Sequence, residues 1–395
     1  MQYLYGILDL DFWGYVLAAF IMFQVSIFAV TVYLHRDATH RALDLHPWVR
    51  QFFRLWIWMT SGMLTRQWVA VHRKHHARCE TTEDPHSPQI FGLKKVLLEG
   101  AELYKVQASN PETLEKYGRG CPDDWVERNV YERLPFGGII LMVLLDLVLF
   151  GVPGIIIIAF QMISMPLFAA GVINGVGHYY GYRNFECDDA STNITPLAII
   201  VGGEELHNNH HAFPSSAKFS VRPWEFDIGW GFISVLKFLG LAKVRRVVPA
   251  PVFADEPVAN LEALRAIIIN RMHVLRNYTK TVTLPVFHKE LRGADAGDGL
   301  LRRARKLLVR RPTLLDEKAH ARLHEILDNN HALKTVVEFR ERLRDLWTGA
   351  TDVSNEKLLS QLHDWIAEAE ASGIRALQEF AEVLKSYRLQ PALAI

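Results

Sequence analysis

The amino-acid sequence predicts an all-α protein: an integral membrane helical bundle capped at one end, followed by a soluble helical tail. Three observations lead there. Apolar residues are concentrated in the first half of the chain, in runs long enough to cross a bilayer. Histidines gather in short clusters at the ends of those runs. Residues 260–395 instead mix apolar and charged positions at helical spacing, as in Leu358, Leu359, Leu362, Trp365 and Ile366.

Composition sets the limits. Half of the 395 residues are hydrophobic although 22% are charged, so the apolar residues must be segregated. A net charge of +1 gives no case for nucleic acid binding. Cys79, Cys121 and Cys187 form no CxxC and leave one over in any pairing, which argues for a reducing compartment and against a sulfur-bound metal. The N-terminal stretch has no basic region and opens on Asp9 and Asp11, unlike a cleavable signal.

Taken in order, residues 12–34 form an apolar run of 23 residues, about 34 Å as a helix, and deliver His35 to one interface. Residues 1–11 contain no Lys or Arg, whereas Arg36, Arg41 and Arg50 follow the run, which places His35 on the cytosolic side. The stretch 47–71 is aromatic but broken by Arg50, Arg54, Arg66 and Gln67. It is expected to lie in the interface, because a crossing would strand His72 opposite His35; Trp48, Trp56, Trp58 and Trp68 suit the headgroup boundary. Residues 79–133 read as a polar cytosolic region.

Residues 136–177 are 42 largely apolar positions interrupted at 151–154, so spans at 136–151 and 153–177 go out and return to the cytosolic side at Asn174 and His178. Asp146, inside the first of them, is expected to face protein rather than lipid. Residues 194–203 are too short to cross, and 228–241 suit an interfacial helix. The membrane domain is therefore 1–246. A Pro-rich linker, 247–259, leads to the soluble region 260–395, which has a Gly/Asp-rich break at 293–299 and a basic run, Arg302, Arg303, Arg305, Lys306, Arg310 and Arg311, read as a solvated helix face.

The histidine clusters read His35-Arg36-Asp37-Ala38-Thr39-His40, His72-Arg73-Lys74-His75-His76 and His207-Asn208-Asn209-His210-His211, with Asn174-Gly175-Val176-Gly177-His178 between the last two. Neutral imidazole is the commonest protein ligand for a transition metal. In the second and third clusters the i, i+3, i+4 spacing puts three imidazoles on one helical face. His35 and His40 are five apart, about 140° round an α-helix, which suits a pair split across a helix end. A zinc hydrolase needs three ligands; eight or nine point to a pair of ions.

HxxxxH, HxxHH and HxxHH in this order, with NxxxH before the last, resembles the membrane-bound fatty acyl desaturases, the stearoyl-desaturase-like group of bacterial type, over residues 12–246. The resemblance implies that His35, His40, His72, His75, His76, His178, His207, His210 and His211 bind two Fe ions, with Asn174 holding a metal-bound water. It implies an O2-dependent oxidoreductase that introduces a cis double bond, expected at delta-9, into a saturated acyl chain carried by CoA or a membrane lipid. The implied setting is the bacterial inner membrane with the site facing the cytoplasm. Trp68 matches a substrate-tunnel tryptophan of animal acyl-CoA desaturases; where those carry Arg-Asp before the second box to hold CoA, this chain has Ala70-Val71.

With no flavin, nicotinamide or haem motif, electrons must come from a separate ferredoxin-like or small haem-protein donor and its reductase. Arg36, Arg41, Arg73, Lys74 and Arg78 are its candidate docking surface. Asp84 and His86 are candidates to orient ligand imidazoles. The competing activity is a membrane di-iron hydroxylase of an alkane or lipid.

Overall fold

A computed structural model of the chain describes residues 4–293, 301, 304–348 and 353–390. It is mostly helical and divides into two units: Met1–Arg183 with Asp189–Val248, and Asn184–Asp188 with Pro249–Ile395.

In the first unit, α1 (Phe12–Phe28) starts on Asp11, whose carboxylate accepts from the Gly14 amide at 2.7 Å. It runs on without interruption into a π-helical stretch, Ala29–Thr39. Together they make one apolar helix of 28 residues, long enough to cross a membrane. The stretch 47–71 is two helices, α2 (Pro47–Ser61) and α3 (Thr65–Arg78), because Gly62 ends the first with φ 66°. Helices α4 (Pro88–Phe91), α5 (Leu93–Ala108) and α6 (Pro111–Tyr117) follow.

The second apolar region is the hairpin α7 (Gly137–Phe150) and α8 (Val152–Met165), turned by Gly151 at φ 66°. Helix α8 continues as a π-helical stretch, Pro166–Val176, so that Val152–Val176 is a second helix of membrane-crossing length and hydropathy, whereas α7 is shorter. The outward faces stay apolar: Ile156 and Ile163 are 72% and 67% exposed. Helices α9 (His207–Ala212) and α10 (Ile228–Phe238) complete the unit. Strand β1 (Leu43–Leu45), just past the first histidine pair, is tied antiparallel to Ala242–Val244 after α10, with Leu43 opposite Val244.

Asp146 is buried, as expected for a residue facing protein, and the hairpin closes against it: at Gly154 a Cβ would collide with the Asp146 carbonyl oxygen.

The second unit is a helical bundle with its own core. Among the described residues its α-helices are α11 (Leu261–Ile269), α12 (Arg271–Tyr278), α13 (Leu284–Gly293), α14 (Arg305–Val309), α15 (Glu317–Asp328), α16 (His331–Thr348), α17 (Asn355–Ala371) and α18 (Arg375–Ser386). Tyr278, Trp365 and Phe380 are buried at its centre, and the polar tips are satisfied: Trp365 Nε1 donates to the Phe339 carbonyl at 2.8 Å and Tyr278 Oη to that of Val336 at 2.7 Å. The basic run is only partly a solvated face. Arg305 and Lys306 are exposed, but Arg311 is partly buried, and it and Arg344 both pair with the exposed Asp188. Arg302, Arg303 and residues 294–299 lie outside the described residues.

Gly154→Ala is expected to force α7 and α8 apart at a cost of about 1–3 kcal/mol, read as a lowered unfolding midpoint of the detergent-solubilised chain. Gly231→Ala, where an added Cβ meets nothing within 4 Å, is expected to leave the midpoint in place.

Candidate metal centre

Helix geometry brings the histidine clusters together in a way that plain α-helical spacing does not. In Ala29–Thr39 the hydrogen bonds close i→i+5, ending with the His40 amide on the His35 carbonyl at 3.1 Å. The wider turn returns the fifth residue over the first, and the two rings lie 5.0 Å apart instead of 140° round the helix. Another π-helical stretch, Pro166–Val176, carries Asn174 and ends just before His178.

The nine imidazoles sort into two groups. The first is His35, His40, His72, His76 and His210; the second is His75, His178, His207 and His211. The i, i+4 pair of α3, His72 and His76, goes to the first group and His75 to the second, while in α9 the pair His207 and His211 goes to the second and His210 to the first. Thus the three histidines of one helical turn do not share one ion: each turn straddles both groups.

Within the groups the Nε2 atoms converge. His35 and His210 are 3.0 Å apart, His210 and His76 2.9 Å, His76 and His72 3.1 Å, and His72 and His40 3.1 Å. In the second group His75 lies 3.2 Å and His207 2.9 Å from His178. Carboxylates fix the tautomer of four rings by accepting from Nδ1: Glu204 from His35 (2.7 Å), Asp84 from His75 (3.0 Å), Glu80 from His178 (2.9 Å) and Asp189 from His211 (2.9 Å). With the proton on Nδ1, the Nε2 atoms of His75 and His178 are both bare lone pairs at 3.2 Å. Two acceptors at that distance repel unless a positive charge, a metal ion or a second proton, lies between them. Ligand nitrogens at right angles on a sphere of metal–nitrogen bonds 2.0–2.1 Å long would be about 3 Å apart, so the spacing fits a transition metal in each group.

The charge state fits as well. Burial holds His40, His72, His76, His207, His210 and His211 well below the usual imidazole range, which keeps them in the neutral, metal-binding form. Burial would lower His75 too, but Asp84 outweighs it and raises the ring. Burial would raise Glu204 and Asp189; His35, with Arg36 and Thr31, reverses this for Glu204, and His178, Ser191 and Arg183 reverse it for Asp189, so both sit below the usual carboxylate range.

Each carboxylate is itself held. Glu80, in the left-handed region at φ 62°, is pinned by the Ala190 amide (3.2 Å) and Ser87 Oγ (3.0 Å) as well as by His178. Asp84 accepts from the amides of Glu80 and His86, at 2.9 and 3.1 Å. Glu204 accepts from Thr31 Oγ1 at 2.5 Å beside Arg36, a fully buried guanidinium that pairs with Asp227 at 3.2 Å and lies 3.7 Å over the Phe219 ring.

Of the two orienting candidates, Asp84 bonds His75, and His86 stacks on it with ring centroids 4.5 Å apart. Glu80, Asp189 and Glu204 were not singled out for this role by the sequence; the only signal was that Glu204 stands three residues ahead of His207. Cys79 was also unforeseen near the site: its sulfur is 3.9 Å from His75 Nε2. The proposed docking surface shrinks. Arg36 is buried, and Arg73 is spent on the carbonyls of Ala38, Thr39, Tyr117 and Arg119.

A cavity of about 600 Å³ reaches the centre, with His35, His72, His207, Trp68 and Asn174 in its wall. Trp68 also stacks on His72, 4.8 Å between centroids.

The chain is similar in sequence to known proteins. The model of the family described as fatty acid desaturase matches residues 11–227, more than half of the chain. Over 241 residues the chain is 31% identical to Delta-9 acyl-lipid desaturase 1 of Arabidopsis thaliana, covering 58% of this chain and 74% of that protein. It is 29% identical to the sn-1 stearoyl-lipid 9-desaturase of Synechocystis sp., covering 62% and 76%, and 31% identical to Acyl-CoA 5-desaturase AL21 of Anemone leveillei, covering 55% and 67%. Residues 259–390 are similar to a separate family model, described as transposase, which covers about a third of the chain. With the match over residues 11–227 spanning every histidine cluster, the chain belongs to the fatty acid desaturase family and is an oxidoreductase of lipid metabolism.

Proposed function

We propose that this protein uses O2 to introduce a cis double bond, at the delta-9 position, into a saturated acyl chain. His35, His40, His72, His76 and His210 would hold one iron, and His75, His178, His207 and His211 the other, with Asn174 holding a water on a metal. Iron is the choice because no acid or base can activate a CH2–CH2 pair; the two irons, when bound, supply the oxidising power that O2 chemistry lends to such carbons. The observation that carries the reading is the gathering of nine imidazoles into two groups of metal-ligand spacing, beside an apolar cavity that His35, His72 and His207 line.

The protein's own contribution is placement. The cavity walls, from Ile27 and Val30 to Met162 and Ile173, exclude water from an acyl chain and lead it past Trp68 to the imidazoles. Glu204, Asp84, Glu80 and Asp189 keep each Nδ1 proton in place, so that Nε2 stays free toward the centre.

The acyl carrier is a membrane lipid in this reading. Among the described residues Lys105 is the one Lys or Arg lining the cavity, and Ala70-Val71 offer no charge to the phosphates of CoA. The Arabidopsis and Synechocystis relatives are named for lipid substrates. The apolar outer faces of α7 and α8 suit lipid, and α1 and Val152–Val176 both lead to the histidines, so the centre would lie at one face of the bacterial inner membrane, the cytoplasmic one by the distribution of Arg and Lys. Electrons would arrive from a separate ferredoxin-like or small haem-protein donor and its reductase.

Expression in a host without desaturases, followed by mass spectrometry of total fatty acids, is expected to show new unsaturated chains with the native protein and none with His75→Ala. Saturated lipids from iron-loaded protein with a competent donor would contradict the proposal, and a product carrying an added oxygen would assign a hydroxylase. Ala101→Phe, which fills part of the cavity, is expected to lower the yield of the longest unsaturated product severalfold relative to shorter ones in the same assay.

A further inference from the structure

The carboxylates that steady the imidazoles are unevenly shared. In the second group three of four rings give their Nδ1 proton to a carboxylate: His75 to Asp84 at 3.0 Å, His178 to Glu80 at 2.9 Å and His211 to Asp189 at 2.9 Å. In the first group, among the described residues, one ring of five does so, His35 to Glu204 at 2.7 Å. That single charge is tempered, because the buried Arg36 guanidinium lies 4.0 Å from the same Glu204 oxygen. Arg73 adds a second positive charge on the outer side of His40, where it caps the Thr39 carbonyl at 3.1 Å. The second group has a cation too, Arg183, which bonds the backbone carbonyls of Asp189 and Ser191 and acts on the Asp189 carboxylate, but it is set against three carboxylates there, whereas Arg36 and Arg73 are set against Glu204 and Asp227. The balance of negative charge therefore lies with the second group.

A carboxylate that accepts the Nδ1 proton pushes electron density into the ring and makes Nε2 a stronger donor. In a dry interior, where charges are poorly screened, the carboxylates also favour the more highly charged of two metal states directly. Both effects act in one direction. Resting on the two-iron reading above, we propose that the two metal positions are electronically unequal: the second group keeps the ferric ion, and the first group accepts the first electron. The step is a single-electron transfer in which an external reductant is oxidised and one Fe3+ in the first group becomes Fe2+. No bond is made or broken, and the Nδ1 protons stay on their rings.

The test is Mössbauer spectroscopy on the full-length, detergent-solubilised protein loaded with iron-57 and given one electron equivalent of dithionite. The expected spectrum has one ferric and one ferrous doublet of equal area. Asp84→Asn should alter the ferric doublet alone and weaken one of the two iron equivalents roughly 10–100-fold. Glu80→Gln should repeat the effect and stands in if Asp84→Asn does not fold. Glu204→Gln should alter the ferrous doublet alone. A spectrum averaged over both irons, or Asp84→Asn and Glu204→Gln perturbing the same doublet, would overturn the inference while leaving the two-iron function intact. A native chain that holds fewer than two irons would overturn that function and this inference together.

Discussion

Nitrogen lone pairs do not crowd together without a positive charge to share, and this constraint organises the first unit. Six Nε2 pairs stand 2.9–3.2 Å apart, and four of the nine rings have their proton committed to a carboxylate on the other side. The cost of assembling such a site falls on the scaffold. Buried Arg36 with Asp227, strained Glu80 and the tie between Leu43–Leu45 and Ala242–Val244 all serve to hold segments far apart in sequence at one point.

Two of the π-helical stretches, the long ones of 11 residues each, are where the fold departs from regular helix to satisfy that constraint. Ala29–Thr39 turns a five-residue spacing into a facing pair, and Pro166–Val176 brings Asn174 to the cavity wall and leads into His178. Such wide turns are uncommon and cluster at functional sites. The centre also has an exchange symmetry: α3 gives two imidazoles to one group and one to the other, and α9 does the reverse. On α3 and α9 the i, i+3, i+4 pattern therefore serves both groups rather than filling one.

Much of this was legible beforehand. The apolar runs, the order of the histidine boxes and the helical periodicity of the tail are properties of local sequence, and a helix is a local structure. What could not be read were choices made across long separations. Nothing near Glu80, Asp189 or Glu204 announces which imidazole each will face, because the partners are 98, 22 and 169 residues away. Asp84 was within reach of inference only because His75 is nine residues upstream. The same blindness made Arg36 look like a surface charge, when Asp227, 191 residues on, draws it into the interior. The division of each box between two groups was hidden for another reason: it depends on the helices' rotation about their axes, which packing sets.

The central claim is that imidazoles from distant segments close around two metal ions. X-ray absorption spectroscopy on the purified full-length protein, with the metal content measured on the same sample, tests it most directly. The account predicts two ions per chain, both surrounded by nitrogen and oxygen at about 2.0–2.1 Å. Fewer than two ions, or a sulfur neighbour contributed by Cys79, would contradict it.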